Sequence, residues 1–243
     1  KRFFDCYLKG MKNGWETEQA KVQLQVRHVD RFELRHEHEW PIARTRWTPL
    51  HLNAQGLSLS EKASPLVAEV SYQPLESGLT FSTEPMAQDT EITGPCALKL
   101  FVRSASTDAD LFVVLRVFDP KGSEVVFQGA LDPHTPIGQG WLRASHRELD
   151  PKLSRPYRPY HTHRQVQPLV PGEITELDIE IWPTSIVVPK GYRIALSVLG
   201  KDYEWDGPAA TLSNMKNPMR GCGPFIHDEP SDRPPEVFGA TVT

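Results

Sequence analysis

The sequence predicts an all-β domain, a jelly-roll β-sandwich preceded by one short helix. Three observations lead there. Runs with two-residue alternation of apolar and polar side chains recur along the chain, as in half-buried strands. Twenty-two prolines and 16 glycines punctuate 243 residues, leaving little room for helices beyond about three turns. Helical periodicity fades after residue 15, so no helices interleave the strands and a βαβ fold is excluded. The long links at 151–173 and 200–235 suit a jelly roll, whose strands cross between sheets.

The helix is expected within residues 2–11, RFFDCYLKGM, where Phe3, Phe4, Tyr7, Leu8 and Met11 share one face. Gly10 and then Asn13-Gly14 stop it. Ten residues cannot bury that many apolar side chains alone, so this face needs a partner surface. Val22, Leu24 and Val26 then alternate with Gln23, Gln25 and Arg27, which predicts a strand. Further strands are expected at 48–52, 66–72, 97–103, 111–119, 124–129, 141–148, 174–182, 193–199 and 237–242. Turn signals separate several of them: Asp119 to Gly122, Pro171-Gly172 and Pro189 to Gly191.

Twenty-seven Lys and Arg against 31 Asp and Glu give a net charge of −4. That composition excludes an electrostatic nucleic-acid binder. No run approaches the ~18 apolar residues of a membrane span, and no leader pattern opens the chain. The three cysteines, Cys6, Cys96 and Cys222, form no CxxC pair, which suggests a reducing, cytoplasmic setting. The chain opens in what reads as a helix without an initiating methionine, so a piece of a longer protein is expected.

GWLRASHREL, residues 140–149, sets Ser145 before His146, the residue types of a nucleophile and its base. An activated serine normally sits on a tight turn into a helix, with GxSxG as its signature. That motif is absent, and GLSLS at 56–60 lacks the last glycine. Read as a strand, 141–148 points Ser145 and His146 to opposite faces, so the two cannot exchange a proton. Paired histidines, His36 with His38 and His161 with His163, have the spacing of a cupin metal motif. Neither is followed by a glutamate in register, and a metal needs three or four converging ligands. Asp108 and Asp110 resemble half of a calcium loop, without its glycine and distal glutamate; they are expected to cap backbone N–H groups at a strand start. His227, Asp228, Glu229, Asp232 and Arg233 crowd a proline-rich tail in which Arg233 is expected to pair with Glu229 or Asp232. Trp40, Trp47, Trp182 and Trp205 offer a sugar platform or, more simply, core and loop anchors. No catalytic, metal-ligating or cofactor-binding residue is therefore assigned, and no cofactor is expected.

Several segments, taken together and in order, resemble the CocE/NonD (cocaine-esterase/X-prolyl dipeptidyl-peptidase) serine hydrolases. RFFDCYLKGMKNGW resembles the close of their α/β-hydrolase domain, and EWPIARTRWTPLHLNAQGLSL the lead-in to their C-terminal domain. The stretch from Gly78 to Gly122, GWLRASHRELDP, RPYHTH, the Pro171-Gly172-Glu173 turn and PKGYRIALSVLG resemble the body of that domain. The resemblance implies a galactose-binding-like jelly roll over 21–243, with 1–20 left over from the hydrolase domain. It also implies that the Ser-His-Asp triad lies upstream of Arg2, so none of it falls on this chain. The implied partner is the protein's own α/β-hydrolase domain, and a homo-oligomer is allowed. The expected function is packing and walling the active site of an acyl esterase or X-Pro dipeptidyl-peptidase. A carbohydrate-binding module and a cupin-like metal-binding jelly roll are the rival expectations.

Overall fold

Helix α1 spans Arg2–Lys9. Asp5 anchors it, salt-bridged to Lys1 and, at 3.2 Å, to Lys9 one turn on. Gly10, at φ 62°, closes it in the left-handed conformation that glycine tolerates. A single turn, α2 (Trp15–Glu18), follows, with Phe3 edge-on to Trp15 at 5.7 Å. The computed structural model describes residues 1–129, 132–211, 219–221 and 226–243.

Among the described residues ten strands make two sheets. β1 (Val22–Arg27), β2 (Phe32–Glu37), β6 (Thr90–Val102) and β9 (Thr175–Val188) form a four-stranded sheet in the order β2-β1-β9-β6. β3 (His51–Asn53), β4 (Ser58–Ser60), β5 (Leu79–Ser82), β7 (Asp110–Phe118), β8 (Gly138–Arg143) and β10 (Arg193–Leu199) form a six-stranded sheet in the order β3-β4-β5-β10-β7-β8. The β-sandwich expectation stands. The core lies between the sheets: Leu98 and Val102 on β6 and Leu177, Ile179, Ile181, Ile186 and Val188 on β9 meet Leu111, Val113, Leu115 and Val117 on β7 and Ile194, Leu196 and Val198 on β10. Each such side chain contributes about 1.5–3 kcal/mol on burial.

β7 departs from simple alternation for a reason. Its other face, Phe112 and Val114, is also buried, under Leu199, Tyr203 and Trp205. A strand covered on both sides reads as an unbroken apolar run, LFVVL. Tyr203 and Trp205, just after β10, therefore cover part of the outer face of the six-stranded sheet.

Four sequence expectations need correction. Residues 66–72 alternate but find no partner strand; only Tyr72 bridges, to Val242, while Leu66 and Val67 are exposed. Residues 124–129 make isolated bridges, Phe118 to Glu124 and Phe127 to Thr135, rather than a strand. Residues 237–242 begin inside a helical turn, α3 (Pro235–Phe238), because Pro235 stands at its first position with φ preset for a helix. The expected strand 141–148 ends at Arg143, and Ala144–His146 form a 3-10 turn. Among the described residues no helix is long and apolar enough to cross a membrane.

β8 runs unusually close to β9. A Cβ on Gly140 would sit 2.0 Å from the Glu180 carbonyl oxygen, and one on Gly138 would touch Ile181. Gly140 thus permits a backbone-to-backbone approach that a side chain there would block.

Candidate functional site

The chemistry-bearing side chains gather where β7 begins, β8 ends and the tail crosses over. The β7–β8 register sets Asp110 opposite Arg143. Arg143 donates from Nε to Asp110 Oδ1 at 2.8 Å and from Nη2 to Oδ2 at 3.0 Å. Its outer nitrogens reach Asp232 Oδ1 and Oδ2, both at 3.0 Å. Arg233 comes from the other side, Nε donating to Asp110 Oδ2 at 2.8 Å, and its remaining nitrogens donate to the carbonyls of His227 and Gly200. The guanidinium of Arg143 lies 4.5 Å from the Phe238 ring centroid, and that of Arg233 lies 5.2 Å from Phe112. Asp110 and Arg233 are both buried. The carboxylate pair Asp110 and Asp232 drives the Arg143 pKa upward, and Arg143 in turn holds Asp232 below its usual range. This is a charge-neutralised clasp between sheet and tail.

Two expectations for these residues change. Arg233 pairs with Asp110, not with Glu229 or Asp232, because a buried guanidinium needs a buried anion. Asp110, expected to cap backbone N–H groups, instead gives both oxygens to Arg143 and Arg233. Asp108 Oδ1 accepts the N–H groups of Ala109 and Ser145, each at 2.9 Å, as expected of a backbone cap.

Ser145 sits on the 3-10 turn that this cap creates. The premise that it lies on a strand is therefore wrong. Its hydroxyl is nevertheless out of reach: the residue is 2% exposed, and its Oγ has no hydrogen-bond partner. Neighbouring His146 turns instead to His163, Nδ1 to Nδ1 at 3.2 Å. A nucleophile needs a base within hydrogen-bond reach and an open approach for substrate. Ser145 has neither.

Beside the clasp, His227 and Asp202 form an oriented pair. Asp202, buried, accepts the His227 backbone N–H at 2.6 Å on Oδ2 and faces Nδ1 at 2.9 Å with Oδ1. This leaves Nε2 outward, the posture of a general base. The pair borders a cavity of about 270 Å³ walled by Leu75, Lys201, Glu204, Ile226 and Phe238. Among the described residues no serine or threonine hydroxyl hydrogen-bonds to His227. Among the described residues the pair is an orienting dyad with no nucleophile beside it.

The other predicted groups are scattered. His36 ends up on β2 and His38 beyond it, and Glu37 between them is taken by Arg44 and, at 2.9 Å, by Arg35. His161 and His163 lie 6.0 Å apart by ring centroid. Among the described residues no three His, Cys, Asp or Glu side chains are grouped to hold a metal. Trp47 stacks on Tyr157 at 4.2 Å, Trp182 meets Trp141 at 5.1 Å, and Trp205 stacks on His134 at 3.9 Å. No ring contact joins Trp40, Trp47, Trp182 and Trp205 to one another. Cys96 is half-buried, and burial pushes its thiol up to about 11, away from nucleophilic use; Cys222 lies outside the described residues. The clasp itself escaped sequence reading, because its members stand 33 and 123 residues apart. Only the β7–β8 register and the returning tail bring them together.

Known proteins match this chain at both levels. Cocaine esterase of Rhodococcus sp. (strain MB1 Bresler) is 25% identical over 247 residues, covering 84% of this chain and 38% of that protein. A Mycobacterium bovis protein named as a candidate serine esterase is 37% identical over 128 residues, 51% of this chain and 19% of that protein. The crystal structure of a CocE/NonD family hydrolase from Staphylococcus aureus superposes with a TM-score of 0.80 at 27% identity, over 99% of this chain and 42% of that one. The chain thus spans well under half the length of these relatives. A family model described as the X-Pro dipeptidyl-peptidase C-terminal non-catalytic domain matches residues 13–213. This chain belongs to that family, the non-catalytic C-terminal domain of CocE/NonD hydrolases.

Proposed function

We propose that this domain is the packing partner and active-site wall of an α/β-hydrolase that cleaves ester or amide bonds. Catalysis there runs through a Ser-His-Asp triad carried upstream. The serine attacks the substrate carbonyl, an acyl-enzyme forms, and water releases the acid. On this reading residues 1–20 close the hydrolase domain and residues 21–243 are the accessory domain. No residue of this chain takes part in the covalent steps, and the free thiols fit a cytoplasmic protein.

One observation carries the proposal. Helix α1 turns Phe3, Phe4, Tyr7 and Leu8 outward, with Met11 exposed just beyond its end and Leu8 77% exposed. A contiguous apolar face of this kind marks an interaction surface, and the relatives extend well beyond the matched region. The test is the pair of changes Phe4→Glu and Leu8→Glu. In the 243-residue chain they are expected to change the unfolding free energy measured in urea by no more than about 0.5 kcal/mol, since the face is exposed. In the protein carrying its upstream sequence they are expected to lower kcat/KM for an ester by about tenfold or more. Unchanged hydrolysis in the longer protein would refute the docking of α1.

A further inference from the structure

We propose that the cavity beside the His227–Asp202 pair binds a small neutral aromatic molecule that carries a hydroxyl, a phenol or an aryl alcohol. The pair supplies a fixed polar atom for it. Asp202, itself buried, accepts the His227 backbone N–H at 2.6 Å on one oxygen and faces Nδ1 at 2.9 Å with the other. A single carboxylate thus sets both the backbone and the ring of His227. With Nδ1 engaged, Nε2 is the nitrogen left for a ligand. It accepts a hydrogen bond when the ring is neutral and donates one when the ring is charged. A hydroxyl does both, so it meets Nε2 in either state. An ether oxygen or an ammonium meets only one of them.

The rest of the lining selects the body of the ligand. Among the described residues Leu75, Ile226, Pro230, Pro235 and Phe238 provide its apolar walls. Phe238 is buried and held under the Arg143 guanidinium at 4.5 Å, and the two prolines have fixed rings. Stiff apolar walls of this kind suit an aromatic ring, which gives up little freedom on binding. About 270 Å³ lies just below the range that holds drug-sized molecules, so the ligand is a small one. The charges of the lining balance. Arg233 is paired with Asp110, and Glu204 with Arg220. Lys201 and Asp228 add one charge of each sign. An anion at Nε2 would be repelled by Asp202 beside the ring, and a cation by the Arg233 guanidinium. A neutral ligand meets neither repulsion.

NMR titration of the isotope-labelled 243-residue chain with phenol tests the site. Saturable shifts are expected at the His227 imidazole and the Phe238 ring, with NOEs from the phenol ring to the Leu75 methyl groups. The Kd should be about 1 mM or tighter, a modest affinity for so small a ligand. Toluene has the same ring without a hydroxyl, and benzoate carries a negative charge instead. Each is expected to bind about tenfold more weakly, or not at all. His227→Phe should weaken phenol by about tenfold and leave toluene within about twofold, because it removes the polar atom and keeps a ring. The ligand comparison uses the unaltered chain, so it decides the matter whether or not that variant folds. Absence of saturable shifts at His227 and Phe238 would overturn the site. So would toluene or benzoate binding as tightly as phenol, or phenol binding undiminished in a folded His227→Phe protein.

Discussion

Asp110→Asn is expected to destabilise the domain by about 3 kcal/mol, the lower end of the range for stranding a buried charge. Asparagine keeps the shape of the side chain but removes the only buried anion between Arg143 and Arg233. Arg143 retains Asp232, which moderates the loss. Arg233, itself buried, retains the carbonyls of His227 and Gly200 but no anion in contact. An amide NH₂ also turns donor toward donor wherever it faces a guanidinium N–H. Because Arg233 fastens the tail, the tail should loosen before the sandwich melts, with faster amide exchange around His227 and Phe238. The comparison change, Asp232→Asn, should cost below about 1 kcal/mol, since that carboxylate is 66% exposed. Urea denaturation at neutral pH measures both. Equal losses would mean that Asp110 is not the centre of the clasp.

Gly140→Ala is expected to cost about 3 kcal/mol or more, or to prevent folding. The added methyl would sit 2.0 Å from the Glu180 carbonyl oxygen and 3.2 Å from the Ile181 Cα. Both are backbone atoms of β9, so no side-chain rotation relieves the clash. β9 cannot retreat either, because it pairs with β6 along nearly its whole length and buries Ile179 and Ile181 in the core. Gly56→Ala is the matched control, with open space around its Cβ and an expected change within about 0.5 kcal/mol. Thermal unfolding of both variants reads the difference. An unperturbed Gly140→Ala protein would mean that β8 and β9 do not approach as closely as described.

How much of this was legible in the residues depended on which face each residue shows. β1 announces itself because one of its faces is wet, and β7 because neither is. β4 and β5, of three and four residues, are too short for alternation to stand out. β6 is nearly twice as long as the expected strand 97–103, since Gly94-Pro95 forms a bulge inside a continuous strand, Gly94 at φ 143°. Residues 66–72 alternate like a strand yet meet no neighbour, and alternation alone cannot supply one. At 141–148 the alternation was sound to Arg143; capture of the Ser145 N–H by Asp108 then bent the chain. The absence of a nucleophile elbow was readable directly, since that motif is local. The clasp and the His146–His163 contact were not, because each joins residues that only the folded sheets bring together.

Hydrolysis of p-nitrophenyl acetate by the 243-residue chain, set against the same chain preceded by its natural upstream sequence, tests the non-catalytic role most directly. The chain alone should show no turnover above the buffer rate, and the longer protein should show a turnover abolished by a serine-directed fluorophosphonate. Turnover by the chain alone that disappears with Ser145→Ala would contradict the role assigned to it.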